Sequence, residues 1–115
     1  MYDSDGEIEA LGDGTPTRDF IYAGDVADGC IKCLEKELHI TTNLGSGEEI
    51  SIKRMIETVA KVSDKKIKIN WDTSKPNGDM RRKMSTKVQE EFGLLPKLGF
   101  EEGIKNTYKY YEKNR

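Results

Sequence analysis

The sequence has few of the residues that build metal or redox sites. It contains two cysteines and one histidine among 115 residues. Cys30 and Cys33 lie three positions apart, but a structural zinc site needs a second pair of ligands, which His39 alone does not supply. A redox Cys-x-x-Cys pair lies at a helix N-terminus, whereas this pair falls about one turn inside a predicted helix. We therefore predict no metal site and expect two buried, reduced thiols.

Long apolar stretches are also missing. No segment approaches the roughly 18 consecutive apolar residues of a membrane span. Residues 1–10 are acidic and polar, unlike a secretory signal peptide. Apolar and charged residues each make up 35% of the chain, which predicts a thin core beneath an ionic surface. These features favour a single cytoplasmic domain over residues 1–115, with no membrane partner.

Charge is unevenly distributed along the chain. The net charge is −2, yet residues 61–87 carry nine Lys or Arg against three Asp. A local cationic patch on an acidic chain suits a compact anion, since duplex binding usually requires a broad basic face. Stacking on single strands needs several aromatic residues, and this segment has only Trp71. We predict no nucleic-acid partner and assign functional weight to Arg81 and Arg82, whereas the lysines are typical of solvated surface.

Residue patterns predict an α/β fold in which short strands alternate with helices. The β-prone runs are short, and turn residues or charged side chains flank them. They lie at residues 7–11, 19–22, 40–44 and 67–71.

Two amphipathic helices are predicted in the first half of the chain. Asp25 is placed to cap the first one, which carries apolar residues at three- and four-residue spacing as far as Leu38. Ser51 is placed to cap the second, residues 52–62. Both caps depend on a short polar side chain just before the first apolar turn.

The second half is predicted to hold a long loop and two further helices. Residues 72–84 show no apolar periodicity and include Pro76, Asn77 and Gly78, which is typical of a loop, and long loops are often functional. A short helix at residues 86–92 has Thr86 and Gln89 at capping-box spacing and Gly93 at its end. The last helix is predicted to begin near Phe100.

Three landmarks carry a resemblance to a known family. They occur in order: Gly-Asp-Gly-Thr-Pro-Thr-Arg-Asp-Phe-Ile-Tyr at 12–22, Asn-Leu-Gly-Ser-Gly at 43–47, and Ser-Lys-Pro-Asn-Gly-Asp-Met-Arg-Arg-Lys at 74–83. The set resembles the extended short-chain dehydrogenases/reductases, which are NAD(P)-dependent nucleotide-sugar epimerases and dehydratases, and within them the GDP-L-fucose synthase-like branch. The resemblance implies the small C-terminal substrate-binding portion of such an enzyme, without its Rossmann cofactor domain.

The resemblance also implies a set of substrate-binding residues. In the family the arginine at the position of Arg18 contacts the substrate nucleotide, and Arg81 and Arg82 stand where cationic substrate contacts are placed. A guanidinium can donate two hydrogen bonds to one phosphate, which fits a nucleotide-diphosphate sugar. The structural alternative for Arg18 is a salt bridge to Asp19 or Asp25.

Two further substrate-binding positions depart from the family pattern. Leu11 stands where GDP-fucose synthases commonly carry a tryptophan, and Asn77 stands where an aspartate is usual. A leucine can cover the face of a base but does not stack as an aromatic ring does. A GDP-sugar is therefore one candidate within the broader class of nucleotide-diphosphate sugars.

Both motifs that hydride transfer would require are missing from the sequence. The Gly-x-Gly pairs at 12–14 and 45–47 lack the third glycine of a dinucleotide-binding turn, since Thr17 and Ile50 stand there. No tyrosine has a lysine four residues later. We predict no catalytic residue and no cofactor site in this chain, with NAD or NADP serving a longer parent enzyme.

Two functional hypotheses follow. The chain is either the substrate-binding part of a nucleotide-sugar epimerase, dehydratase or reductase, or a stand-alone, non-catalytic binding or oligomerisation module derived from that family. In the second case the segment 40–44 could pair edge to edge with a second copy, giving a homodimer.

Overall fold

The computed structural model describes residues 6–114. Its eight elements alternate along the chain, which confirms the predicted α/β class. They are β1 (Glu7–Leu11), β2 (Thr17–Arg18), α1 (Ala23–Glu35), β3 (Ile50–Ser51), α2 (Ile52–Val62), β4 (Lys68–Asp72), α3 (Lys87–Glu91) and α4 (Phe100–Asn114). No helix in this described part is both long and apolar enough to cross a membrane.

Two small sheets organise the chain. β1 and β4 pair in parallel, with Glu7 opposite Lys68 at one end of the ladder. β2 and β3 pair antiparallel, with Arg18 opposite Ile50. Ile50 is almost fully buried, so β3 anchors the second sheet in the interior.

The loop after β4 is attached to β2 by backbone hydrogen bonds. Thr17 N donates to Met80 O over 2.9 Å, and Arg82 N donates to Thr17 O over 3.2 Å. Thr17 and Arg81 thereby form an isolated parallel bridge. The charged loop at residues 72–84, predicted from its lack of apolar periodicity, is therefore held beside Arg18.

Helices α2 and α4 pack against one another. Ser51 caps α2 as predicted, because its side chain accepts a hydrogen bond from Arg54 N over 3.0 Å. The Arg54 guanidinium lies 5.4 Å from the centre of the Phe100 ring, which is within the range of a cation–π contact. Phe100 also approaches Phe20, with ring centres 5.9 Å apart.

Two predicted strands are wrong. Residues 19–22 form no ladder and lead directly into α1, and residues 40–44 are irregular. Asp19 instead accepts hydrogen bonds at Oδ1 from the Ser46 backbone N–H (2.8 Å) and hydroxyl (2.6 Å). Residues with high β-propensity form a strand only when a partner strand lies beside them, and the described residues offer none to 40–44.

Two predicted helix caps are also wrong. Tyr22 precedes α1, and Asp25 lies inside its first turn, where the buried carboxylate accepts hydrogen bonds from Lys97 N (3.1 Å) and Leu98 N (3.2 Å). Thr86 makes no side-chain cap bond with α3. The Asp25 carboxylate thus fixes a distant loop, because long-range backbone N–H groups compete with those of its own helix.

Gln89 is the most buried polar side chain of α3, at 1% exposure. Its Oε1 accepts a hydrogen bond from Gly45 N (2.9 Å), and its Nε2 donates to Gly45 O (2.9 Å) and Leu94 O (3.1 Å). These bonds pair the side-chain amide with the backbone of the segment after residues 40–44. A residue predicted to cap its own helix therefore joins two segments 44 positions apart.

One face of α1 remains uncovered by residues 6–114. Leu34 is 78% exposed and Ile31 is 53% exposed. Cys30 is exposed and Cys33 is half-buried, so the prediction of two buried thiols is wrong. The apolar spacing of the helix is as predicted, but the described part of the chain supplies no surface to cover it.

The Gln89→Leu substitution is expected to lower the free energy of unfolding by about 2–4 kcal/mol, because it leaves buried groups of Gly45 and Leu94 without partners. Urea denaturation followed by circular dichroism measures the change. Glu91→Leu, an exposed position on the same helix, serves as the control and should change stability by less than about 0.5 kcal/mol. Equal denaturation midpoints for Gln89→Leu and the unsubstituted chain would contradict this assignment.

Candidate functional site

The Arg18 guanidinium lies against the loop that follows β4. Its Nη1 donates to Thr17 O over 2.8 Å and to Asp79 O over 2.7 Å. The carboxylates of Asp19 and Asp25, the predicted structural partners, bind Ser46 and the 97–98 backbone instead. Within the described residues Arg18 bonds to carbonyl oxygens and not to a carboxylate, so its positive charge has no direct ion pair.

Arg82 also bonds to Asp79, through the carboxylate of that residue. Its Nε donates to Asp79 Oδ2 over 2.8 Å, and its Nη2 contacts the same oxygen. Asp79 therefore accepts from Arg82 through its carboxylate and from Arg18 through its backbone carbonyl. The hydrogen bonds from Arg82, followed by the charges of Arg82 and Arg18, hold the pKa of the Asp79 carboxyl below its usual range.

A small concavity brings these cationic groups together. It has a volume of about 240 Å³ and is lined by Arg18, Asp19, Arg82, Lys83 and Met84. Three of the five side chains are cationic, and the one carboxylate among them bonds to Ser46. Such a surface can attract a compact anion, since clustered like charges raise the local potential.

Arg81 points away from this group. Its Nε bonds to the carboxylate of Glu49, and it does not line the concavity. The two adjacent arginines have nearly equal exposure, 68% for Arg81 and 70% for Arg82. The two arginines therefore differ in their bonding partners, Glu49 for Arg81 and Asp79 for Arg82, and not in their exposure.

Asn77 holds the turn that follows β1. Its Oδ1 accepts a hydrogen bond from Asp13 N over 2.9 Å. Gly12 has a φ of +84°, and a Cβ there would overlap Asn77 Oδ1. Leu11, at the end of β1, is a largely exposed apolar side chain. Neither Leu11 nor Asn77 lines the concavity between the arginines.

Sequence reasoning did not assign Asp79, Lys83 or Met84 to the site. Asp79 lies three residues before Arg82, and this spacing is a usable signal for a local ion pair, although it does not specify the contact with Arg18. Lys83 follows the arginine pair directly, and its sequence context is typical of a solvated surface lysine. Met84 carries no charge pattern that would have placed it in the site.

One glycine of each Gly-x-Gly pair lies close to other side chains of the chain. A Cβ on Gly14 would lie 2.6 Å from Trp71 Cη2, and one on Gly45 would lie 2.8 Å from Asp19 Oδ2. Both glycines therefore make close approaches to the chain's own side chains rather than facing an open space for a pyrophosphate. The described residues also contain no cluster of His, Cys, Asp and Glu suited to a metal ion.

Comparison with known proteins defines the family. The sequence model described as GDP-mannose 4,6 dehydratase matches residues 4–107. A curated relative, the putative GDP-L-fucose synthase 2 of Arabidopsis thaliana, is 35% identical over 109 residues, which cover 94% of this chain and 33% of that protein. The chain therefore spans about a third of the length of this relative.

Solved structures give the same result. A GDP-mannoheptose C4 reductase from Campylobacter jejuni with NADP bound is 27% identical, with a TM-score of 0.79, over 95% of this chain and 36% of that one. A UDP-glucose 4-epimerase from Thermotoga maritima, solved with UDP-glucose, is 26% identical, with a TM-score of 0.80, over 94% and 35%. These matches confirm the resemblance drawn from the three landmarks. The chain belongs to the GDP-mannose 4,6 dehydratase family, among the nucleotide-sugar epimerases, dehydratases and reductases.

Proposed function

We propose that residues 1–115 form the C-terminal substrate-binding domain of a nucleotide-sugar epimerase, dehydratase or reductase, and that Arg18 and Arg82 bind the diphosphate of its substrate. One observation carries the proposal. In a chain of this family, the two arginines line the same concavity although they lie 64 positions apart in the sequence.

The chemistry of the concavity supports a diphosphate ligand. Arg18 Nη1 is used by two carbonyl oxygens, whereas its Nε and Nη2 make no hydrogen bond within residues 6–114. A guanidinium can direct two parallel N–H groups at one phosphate. Arg82 and Lys83 add two more positive charges at the same place. The name of one relative contains GDP and that of another UDP-glucose, so the proposal specifies the diphosphate and leaves the base open.

The other predicted contacts stay predictions. Leu11 is exposed and could cover one face of a base, while Arg81 could reach a ligand only by leaving Glu49. Asn77 would act indirectly, by holding the turn at Gly12 that precedes β2. We propose no catalytic residue in this chain, and NAD or NADP would bind to the remainder of the parent enzyme.

The exposed face of α1 supports a role within a larger protein. Ile31 and Leu34 on α1, and Ile40 five residues after its end, are each more than half exposed. Exposed apolar groups on one helix face can mark an interaction surface. We propose that the missing cofactor domain covers this face. The alternative is a stand-alone module that covers it by forming a homodimer.

Arg18→Ala and Arg82→Ala are each expected to weaken nucleoside-diphosphate binding by about tenfold or more, because charge-assisted hydrogen bonds to phosphate contribute roughly 1.5–3 kcal/mol each. NMR titration of the chain with GDP, UDP and dTDP measures the dissociation constants. Arg81→Ala is the matched comparison, since it removes the same group from the adjacent position. We expect a smaller loss there, because Arg81 is bonded to Glu49 outside the concavity.

An absence of binding by all three diphosphates at millimolar concentration would contradict a binding site within this domain alone. Equal losses in all three arginine variants would contradict the assignment of the concavity, because they would indicate a general effect of net charge.

Leu34→Glu is expected to change the free energy of unfolding by less than about 0.5 kcal/mol, because the side chain is largely exposed. Leu94→Ala, at a buried leucine, should cost about 2–5 kcal/mol in the same urea experiment. A cost of similar size for Leu34→Glu would contradict an uncovered α1 face.

The same Leu34→Glu chain tests the homodimer alternative. If another domain of the parent enzyme covers the α1 face, light scattering over a dilution series should show a monomer for both this variant and the unsubstituted chain. A dimer that withstands dilution and dissociates on Leu34→Glu substitution would instead favour the stand-alone module.

A further inference from the structure

Asp79 forms hydrogen bonds with both arginines of the proposed diphosphate site. Its carboxylate Oδ2 accepts hydrogen bonds from both Nε and Nη2 of Arg82. These are the two N–H groups with which an arginine can bind two oxygens of one phosphate. The Asp79 backbone carbonyl meanwhile holds Arg18 Nη1 over 2.7 Å. Asp79 therefore pairs with Arg82 through its charged carboxylate and with Arg18 through its backbone carbonyl.

The two contacts differ in how easily they can be exchanged. The Asp79 side chain is 61% exposed and that of Arg82 is 70% exposed, and exposed ion pairs contribute little to stability. The carbonyl contact to Arg18, in contrast, belongs to the backbone segment that is bonded to β2. The carboxylate can leave Arg82 by rotation about its own side-chain bonds, while Arg18 stays in place.

We propose that Asp79 is a specificity-determining residue that competes with the substrate: its carboxylate occupies Arg82 in the free protein, and a diphosphate must displace it to bind both arginines. This inference rests on the proposed function of Arg18 and Arg82. A ligand with several negative charges can replace one carboxylate at Arg82 with a net gain in attraction, whereas an uncharged nucleoside cannot.

The opposite role makes the opposite prediction. If Asp79 only positions Arg82 for the ligand, neutralising the carboxylate would release the arginine and weaken binding. If Asp79 competes, neutralising its carboxylate weakens the hydrogen bonds that occupy Arg82 and removes a negative charge that repels the diphosphate, so that binding tightens. The sign of the change therefore decides between the two.

The test uses inorganic pyrophosphate, whose binding does not depend on a base, with NMR titration of the 115-residue chain. Asp79→Asn is expected to bind pyrophosphate about two- to fivefold more tightly than the unsubstituted chain, which is the range that an exposed ion pair can account for. Asp79→Glu keeps the charge and should bind much as the unsubstituted chain does. Glu57→Gln removes one negative charge from an exposed position on α2 and should have little effect.

Two additional readouts separate competition from a general change of fold. The Arg82 Nε–Hε resonance should move on Asp79→Asn substitution and again on addition of pyrophosphate, while the backbone resonances of α2 stay unchanged. Guanosine, which carries no phosphate, should bind the Asp79→Asn variant and the unsubstituted chain equally.

Weaker or unchanged pyrophosphate binding by Asp79→Asn, together with losses in Arg18→Ala and Arg82→Ala, would overturn this inference and leave the proposed function standing. An equal gain from Glu57→Gln would also overturn it, since the effect would then follow net charge. An absence of pyrophosphate binding in every variant would overturn both the inference and the proposed site.

Discussion

The attachment of the 72–84 loop to β2 is the constraint on which the candidate site depends. Two backbone hydrogen bonds from and to Thr17 hold Met80 and Arg82 beside the short strand that carries Arg18. Side chains that are far apart in sequence share a concavity only because the peptide groups next to them are paired. The pairing is itself limited to one bridge and a two-residue strand, so the position of each arginine also depends on its side-chain bonds to Asp79.

Hydrogen bonds from polar side chains hold distant segments of this domain together, which a large apolar core does in other domains. Few apolar side chains among the described residues are buried; they include Ala10, Pro16, Ile50 and Leu94. Asp25 and Gln89 are buried with them, and each bonds to the backbone of a distant segment. Asp19 does the same for the turn at Ser46. Buried groups of this kind stabilise one arrangement specifically, because any other would leave them without partners.

The outcome of the sequence predictions follows from this architecture. The strands at 7–11 and 67–71, the Ser51 cap and the helices all depend on local patterns. The structure confirms the two strands, α2, α3 and the start of α4 within a residue. It also confirms that the first helix exists, although α1 begins and ends about three residues earlier than predicted.

The wrong assignments are the caps at Asp25 and at Thr86 with Gln89, the strands at 19–22 and 40–44, and the two buried thiols. Asp19, Asp25 and Gln89 make long-range hydrogen bonds in place of the predicted local structure. Among the described residues, no strand lies beside 40–44 and no segment covers the α1 face that carries Cys30. Local propensity contains no information about long-range contacts or missing partners.

The sequence alone determined the family and the α/β class, and it identified Arg18, Arg81 and Arg82 as candidate ligand contacts, because these depend on residue types in a fixed order. The tertiary structure decided that Arg18 and Arg82 share a concavity, that Arg81 bonds to Glu49, and that Asp79 bonds to both Arg18 and Arg82. The physical reason is that hydrogen bonds between distant segments set these directions: 61 positions separate Arg18 from Asp79, and 32 separate Arg81 from Glu49. The three-residue spacing of Asp79 and Arg82 indicates their ion pair, but no local pattern encodes that Arg18 bonds to the Asp79 carbonyl or that Arg81 bonds to Glu49.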